Sequence, residues 1–457
     1  MELTEAIAQF AAGVKPEGIP AEVLQRAKRH VLDTLGVALA ASNSTIAGIL
    51  QQVVRGSSEG ESSLWTGSGR SGAGDAAWLN GTIAHALDFD DGGVGPTPMH
   101  PSAPVLPAVL ALAEARDLSG MDALCAYIVG VEIECKLANL VSLKHYERGW
   151  HTTAVLGTLG SAAASSRLLG LSSEKICHAL GIAASMAGGL RTNFGSMTKP
   201  LHAGQAARNG LVAALLAEKG FTANRAALGA DKGMVRVFEL GDSVTGTEIS
   251  TRLGRPFHFA SPGVSIKRFP SCTSTHLTLE AILALRESHE FLPEQVEKIE
   301  CAIHPLDYGV LLRPEGIQSP EQARFSAEFV LAAATLDGEV SLRHFNSAFI
   351  QRADVQGLMK RIHVYVPSDP AGLESTGNRF SLVAVHLSDG RVISHRATTI
   401  RGHPPLLLSD AEVDRKFLDC VVPVLAPQRA QIVLQALHGI DTAPCVADIL
   451  SPFGKKL

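Results

Sequence analysis

"AEVLQRAKRHVLDTLGVALAAS", residues 21–42, sets Leu24, Val31, Leu35 and Leu39 on one face, with Ala27 between the first two. Apolar residues returning every three or four positions mark an amphipathic helix; a strand would alternate instead. The texture continues through "PAVLALAEARDL", "MDALCAYIVGVEIECKLANLV", "TAVLGTLGSAAASSRLLG", "SEKICHALGIAASMAGG" and "AGQAARNGLVAALLAEKG". Several of these end at Gly, the residue favoured just past a helix C-terminus. Each Gly inside a helix costs about 1 kcal/mol against Ala, so close helix–helix contact has to offset it. Residues 1–262 therefore read as helix after helix.

Composition agrees with that reading. The chain has 457 residues, 46% hydrophobic and 19% charged, enough for two or three domains with a large core. Aromatics are only 5%, while Ala and Gly are abundant, which favours packed helices over a β-sandwich. The net charge of −5, with no basic block, argues against nucleic acid as a partner. Seven scattered cysteines without a CxxC pair suit a reducing compartment better than a disulfide framework. The opening "MELTEAIAQFAAGVK" reads as an amphipathic helix with early acids rather than a signal peptide. No apolar run reaches the ~18 residues of a membrane span. A cytoplasmic protein is expected.

The pattern changes after "HFASPGVSIKRFPSC". "VEKIECAIHP" and "RIHVYVPSD" are strand-like, and "RFSLVAVHLSDGRVISHRATT" reads as a hairpin turning near Asp389-Gly390. Helical text, "EQARFSAEFVLAAATLDG", lies between them. Residues 263–399 thus read as a smaller α/β domain. Helices return over 400–457, at "SDAEVDRKFLDCVVPVL" and "PQRAQIVLQALHGI". If this tail rejoins the first domain, the α/β part is an insertion.

Three basic residues sit where helices are expected to begin. His100 precedes Pro101-Ser102 and an apolar helix, His151 precedes the helix from Thr152, and Lys199 stands beside Pro200 in "NFGSMTKPLHAGQAARNG". Proline suits a first helical turn, so Thr198 or Lys199 is expected at the cap of a helix starting near Pro200. A helix N-terminus offers free N–H groups and partial positive charge, a ready anion site. A lysine there is disfavoured by ~0.3–1 kcal/mol unless an anion joins it. If the three termini converge, they suit a substrate with several carboxylates. "HALDFDDGGVGPTPMHPSAPVLP" also holds Asp88, Asp90 and Asp91. These acids invite a metal reading, but an EF-hand loop from Asp88 would need Glu at its twelfth position, which is Met99. No metal and no organic cofactor are expected. No serine-hydrolase elbow, dinucleotide fingerprint or zincin motif appears. Cys272 has no clear partner for a nucleophile role.

Taken together, "AHALDFDD…HPS", "GWHTTAVLGTLGSAAA", "MTKPLHAGQAARNG" and "IKRFPSCTSTH" resemble the MmgE/PrpD family over nearly the whole chain. That family contains 2-methylcitrate dehydratase, cis-aconitate decarboxylase and iminodisuccinate epimerase. The resemblance implies a mainly α protein: a large all-helical domain built from both chain ends plus a smaller α/β lid domain, usually in a homodimer, with the active site between domain and lid. By motif it points to Asp88, His100, His151, Lys199 and Lys267. Tyr308 in "HPLDYGVL" matches a lid position, Tyr146 before "GWH" is a further acid or base, and Thr198 adjoins the lysine. The chain also departs from the family's lyases. Gly92 stands where the decarboxylases have threonine, and Cys272 lies in a segment where they have histidine. "FPSCTSTH" replaces the dehydratases' "YPAEFHxQ", and the Asp88–His100 loop is longer by two residues than in the decarboxylase.

The chemistry implied is proton removal next to a carboxylate, with the developing charge held by lysine, protonated histidine and backbone N–H groups. These departures direct the expectation to an epimerase of a small dicarboxylate of the iminodisuccinate type. The alternatives are a dehydratase or decarboxylase of a tricarboxylate such as 2-methylcitrate or cis-aconitate, and a carboxylate-binding protein without turnover.

Overall fold

The computed structural model describes residues 1–54, 60–93, 98–312, 316–368 and 379–451. In chain order the longer helices are α1 (Leu3–Gly13), α2 (Ala21–Ala40), α3 (Ala73–His85), α4 (Ser102–Ala115), α5 (Gly120–Ala138), α6 (Thr152–Leu168), α7 (Ser173–Met186), α8 (Thr198–Glu218), α9 (His276–Ser288), α10 (Ala327–Asp337), α11 (Asp410–Val421) and α12 (Pro427–His438). The strands are β1 (Ser62–Ser63), β2 (Arg70–Ser71), β3 (Gly92–Gly93), β4 (Val264–Ser265), β5 (Val296–Ile303), β6 (Ile362–Tyr365), β7 (Ser381–Leu387) and β8 (Val392–Ala397). The protein is mainly helical. No helix among the described residues is long and apolar enough to cross a membrane.

The chain divides into two compact units. The first comprises residues 1–86, 90–266 and 408–457, and the second residues 87–89 and 267–407. In the first unit, α8 packs against α3, α4, α6 and α7. Small residues make this possible. A Cβ on Gly204 of α8 would lie 2.2 Å from the Trp78 carbonyl oxygen of α3, and one on Gly210 would lie 2.5 Å from the Ala162 nitrogen of α6. Side chains there would push the helices apart, which is why the sequence tolerates glycine in mid-helix. Serine caps fix several starts: Ser119 accepts from the Asp122 N–H before α5, and Ser172 from the Lys175 N–H before α7. From the chain's other end, α11 packs on α2, where the buried Lys416 pairs with Asp33 at 2.6 Å. Beyond its helices, this unit has two short antiparallel pairs, β1–β2 and β3–β4.

The second unit is built on a four-stranded sheet ordered β6-β5-β7-β8. β6 runs parallel to β5, while β7 is antiparallel to both β5 and β8. Every second residue of β7 is buried: Ser381, Val383, Val385 and Leu387. Strand period 2 sends these to one face. α9 packs across β7, β8 and α10, closing a core that includes Leu279, Ile282, Phe329, Val330 and Val385. The hairpin turns through Gly390, at φ 86, a left-handed conformation that glycine adopts without penalty. The helical text "EQARFSAEFVLAAATLDG" forms two pieces, the short helix Pro320–Ala323 and α10. The break falls at Ser326, whose side chain caps α10 by accepting the Phe329 N–H.

Candidate active site

α4, α6 and α8 share a feature that separates them from α5 and α7. None has a side-chain cap at its N-terminus. His100 precedes α4 by one residue beyond the cap, His151 is the cap residue of α6, and Lys199 lies in the first turn of α8. The last placement corrects the sequence reading. α8 begins at Thr198 rather than near Pro200, because Met197 already has helical backbone angles and takes the cap position. Lys199 is also buried, only 5% exposed, which rules out an ordinary surface lysine.

The three termini converge within the first unit. The His100 N–H donates to Thr153 Oγ1 at 3.0 Å, joining the start of α4 to the first turn of α6. His85, in the last turn of α3, stands edge-on to His100 with ring centroids 4.4 Å apart and stacks near His151 at 6.0 Å. His151 Nδ1 lies 3.1 Å from His202 Nδ1, so one ring donates to the other. Phe194 closes the side: its ring meets His151 edge-on at 5.0 Å, and Lys199 Nζ lies 5.5 Å from its centroid. Tyr146 is reached through Arg191, whose guanidinium lies 3.5 Å over the tyrosine ring and donates to the Tyr146 carbonyl at 2.7 Å. Thr198 is half-buried, its N–H donating to Ser196 Oγ at 3.3 Å.

Electrostatics fixes the charge states. Burial, then Lys199 among nearby groups, holds the His151 imidazole well below its ordinary range. Burial pushes His85 down to about 4, despite Asp90, and burial with Lys199 pushes His202 to about 4. At neutral pH these three rings are neutral. For His151 this speaks against the protonated form that sequence reasoning allowed among the charge-holding groups: the ring is buried and a cation stands near it. Asp90 is the opposite case. Burial alone would raise it, but His85 and His100 together hold it well below the usual carboxylate range.

The three neighbouring acids serve three different partners. Asp90 Oδ2 is 2.8 Å from His85 Nδ1 and 3.2 Å from His100 Nδ1. Asp91 meets His30 Nδ1 at 2.8 Å and accepts from the Ser102 N–H and hydroxyl, and Ser102 in turn meets the Tyr127 hydroxyl. Asp88 belongs to the second unit, where Lys267 Nζ donates to its carbonyl at 2.7 Å and pairs with its carboxylate. Residues 94–97 of the same loop lie outside the described residues. His85, Asp90 and His100 do bring three ligand atoms within 4.8 Å.

In the second unit, Asp88 has φ 50, a left-handed conformation aspartate tolerates better than most residues. Lys267 is buried beside it. His276, at the start of α9, is pushed down to about 3 by burial and then by Lys267. Arg324 is 5% exposed, and its guanidinium lies 5.2 Å from the centre of the Phe345 ring. Tyr308 ends the short helical turn Pro305–Tyr308 and packs against this unit's core. Cys272 is buried, and its N–H donates to the Arg324 carbonyl at 2.9 Å. All seven cysteines are free thiols.

The sequence reading did not single out His85, Phe194, Arg191 or His202 as site residues. His85 and His202 lie inside the quoted motifs, at 15 and three residues from His100 and Lys199, but a lone histidine in a helix carries no mark of its neighbours. Gly92 has a local reason. It pairs with Ser265 across β3–β4, and a Cβ there would lie 2.9 Å from Ser265 Oγ, which donates to the Gly92 carbonyl at 2.8 Å.

The MmgE/PrpD N-terminal domain model matches residues 5–247, and the C-terminal domain model matches residues 269–439. The chain is 33% identical over 438 residues to a cis-aconitate decarboxylase of Homo sapiens, spanning 91% of this chain and 87% of that protein. It is 31% identical over 439 residues to the cis-aconitate decarboxylase of Mus musculus, with coverage of 91% and 86%. A cis-aconitate decarboxylase of Aspergillus terreus is 27% identical over 419 residues, covering 86% and 84%. The chain belongs to the MmgE/PrpD family.

Proposed function

We propose that this protein is a cofactor-independent lyase acting on a small tricarboxylate, with decarboxylation of cis-aconitate as the first candidate reaction. The observation that carries the reading is likeness over about nine-tenths of the chain to proteins named cis-aconitate decarboxylase. The cluster around Lys199 supports it chemically. The epimerase expectation gives way to the lyase alternative, because the relatives reported above are named cis-aconitate decarboxylase.

Decarboxylation of cis-aconitate breaks the bond from the saturated arm to its carboxylate. The electron pair moves across the double bond, and a proton is delivered to the vinylic carbon, leaving a five-carbon unsaturated dicarboxylate and CO2. Negative charge builds next to a remaining carboxylate on the way. Lys199 supplies a buried positive charge for it, worth more in a site without water than in solvent. The neutral His151–His202 pair leaves one ring N–H to donate without adding charge, the His85 N–H being taken by Asp90, and His100, His151 and Tyr146 are the groups proposed to carry the proton. Asp88, Lys267, Tyr308 and Thr198 are proposed to bind and orient the substrate. We further propose a large helical domain with a smaller α/β lid domain, a homodimer and a cytoplasmic location, as the family resemblance implies.

The test is incubation of the full-length protein with cis-aconitate in D2O, followed by NMR. The expected result is CO2 release and deuterium in the newly saturated position of the product. Water addition or loss with 2-methylcitrate-type acids would move the assignment to a dehydratase. Exchange with inversion of a dicarboxylate, and no turnover of tricarboxylates, would overturn the lyase reading.

A further inference from the structure

We propose that His202 is a positioning residue for His151 and passes it a proton, the two rings forming a relay through which a proton from water reaches the reacting carbon. This rests on the reading of the Lys199 cluster as the reaction site.

The two rings face each other through like atoms. His151 Nδ1 and His202 Nδ1 are 3.1 Å apart, a hydrogen-bond distance. Two ring nitrogens bond only if one carries a proton and the other a lone pair, so a neutral pair holds a single proton between them. The ring that donates at Nδ1 has its lone pair on Nε2, and the ring that accepts there carries its own proton on Nε2. The two tautomers are therefore opposite, and a change in one ring reverses the other.

The fold sets this pair in place. His151 caps α6 and is 2% exposed, while His202 lies one helical turn past Lys199 on α8 and is half-buried. The pair thus leads from the buried cluster outward. The backbone N–H of His151 donates to the Gly189 carbonyl at 2.9 Å. A Cβ on Gly189 would lie 3.2 Å from His202 Cγ and 3.3 Å from His202 Nδ1. Gly189, at φ 145, holds one ring through its backbone and leaves room for the other.

Decarboxylation consumes one proton per turnover, taken up by the electron pair that CO2 leaves behind. With Nε2 of His151 protonated, that proton goes to the vinylic carbon. The bridging proton moves from His202 Nδ1 to His151 Nδ1, and water protonates His202 Nε2, leaving hydroxide to the solvent. Each N–H bond broken is matched by one formed, and neither ring becomes charged. Once product leaves, His202 Nε2 returns its proton to water, the bridging proton moves back, and water protonates His151 Nε2. Burial and the Lys199 charge disfavour an imidazolium at either ring, and this relay avoids one.

The experiment uses full-length protein labelled with 15N-histidine and long-range proton–nitrogen correlation, which reads each ring's tautomer without substrate. His151 and His202 should show opposite tautomers; both rings as Nδ1–H, or both as Nε2–H, would overturn the proposal. His202→Phe keeps a flat ring and removes the relay. On the substrate that the D2O experiment identifies, its kcat should fall roughly 10²-fold with KM little changed. In His202→Ala, added imidazole should restore part of kcat, whereas N-methylimidazole, which has no N–H to pass on, should not. A histidine that only filled space would be replaced equally well by both. Wild-type kcat in His202→Phe, or equal rescue by the two compounds, would also overturn the proposal. If His202→Ala does not fold, the wild-type spectrum and His202→Phe still decide. The tautomers need no turnover, so failure of the lyase reading and failure of this one are seen separately.

Discussion

Substituting Gly204 by alanine tests whether the contact of α8 with α3 holds the site together. A Cβ at 204 would lie 2.1 Å from Thr82 Oγ1, 2.2 Å from the Trp78 carbonyl oxygen and 2.8 Å from the Thr82 nitrogen. Thr82 Oγ1 can rotate at the loss of its 2.8 Å bond to the Trp78 carbonyl. The other two atoms are backbone and cannot. Carbon and oxygen in contact need roughly 3.3 Å or more, so α8 has to move off α3 by about 1 Å. A gap of that size forfeits a quarter to a half of the dispersion between atoms it separates. Overpacking of this kind costs about 1–3 kcal/mol, and the gain of Ala over Gly in a helix returns about 1 kcal/mol. Gly48, in the helix Thr45–Val53, has nothing within 4 Å of its Cβ position. Gly48→Ala should therefore stabilise by roughly 0.5–1 kcal/mol. Urea unfolding of both variants gives the comparison as opposite shifts in midpoint at similar slope. Gly204→Ala should also lose activity beyond its loss of stability, since Lys199 rides on α8 and His85 on α3, and a misplacement of about 1 Å costs on the order of 10²-fold. If Gly204→Ala matched Gly48→Ala in stability and kept full activity, the close-approach argument would be wrong.

Three further outcomes follow from the site. His85 titrates at about 4 when folded, against an ordinary value near 6.5. On acidification the unfolded chain binds that proton first, so the stability owed to neutral His85 is full above pH 6.5 and lost on descent to pH 4, about 3 kcal/mol in all; a urea midpoint flat across that window would refute it. Lys199→Met removes a charge that lowers His151, so the His151 titration should move up in pH by NMR, with kcat/KM sharply reduced; an unmoved titration would mean the lysine charge does not reach that ring. Gly92→Thr should destabilise by about 1–3 kcal/mol by displacing Ser265 from β3–β4, and gain no decarboxylase activity from the added hydroxyl; a stable variant with raised turnover would show that the family's threonine fits this backbone after all.

Much of the architecture was legible because helices and strands announce themselves locally. The period of Leu24, Val31, Leu35 and Leu39 gave α2, and Asp389-Gly390 gave the β7–β8 turn. His100, His151 and Lys199 were legible as residues at helix starts because capping is decided within a few positions of chain. What the chain could not display in one dimension is which acid faces which base. Asp88, Asp90 and Asp91 look alike in sequence, yet one meets Lys267, one meets His85 and His100, and one meets His30, because each peptide unit turns its side chain in a different direction. The neutral state of His85 and His151 is likewise a tertiary property. It comes from burial and from a lysine 48 residues beyond His151, brought close by the packing of α8 on α6, and no local pattern encodes that depth or that distance.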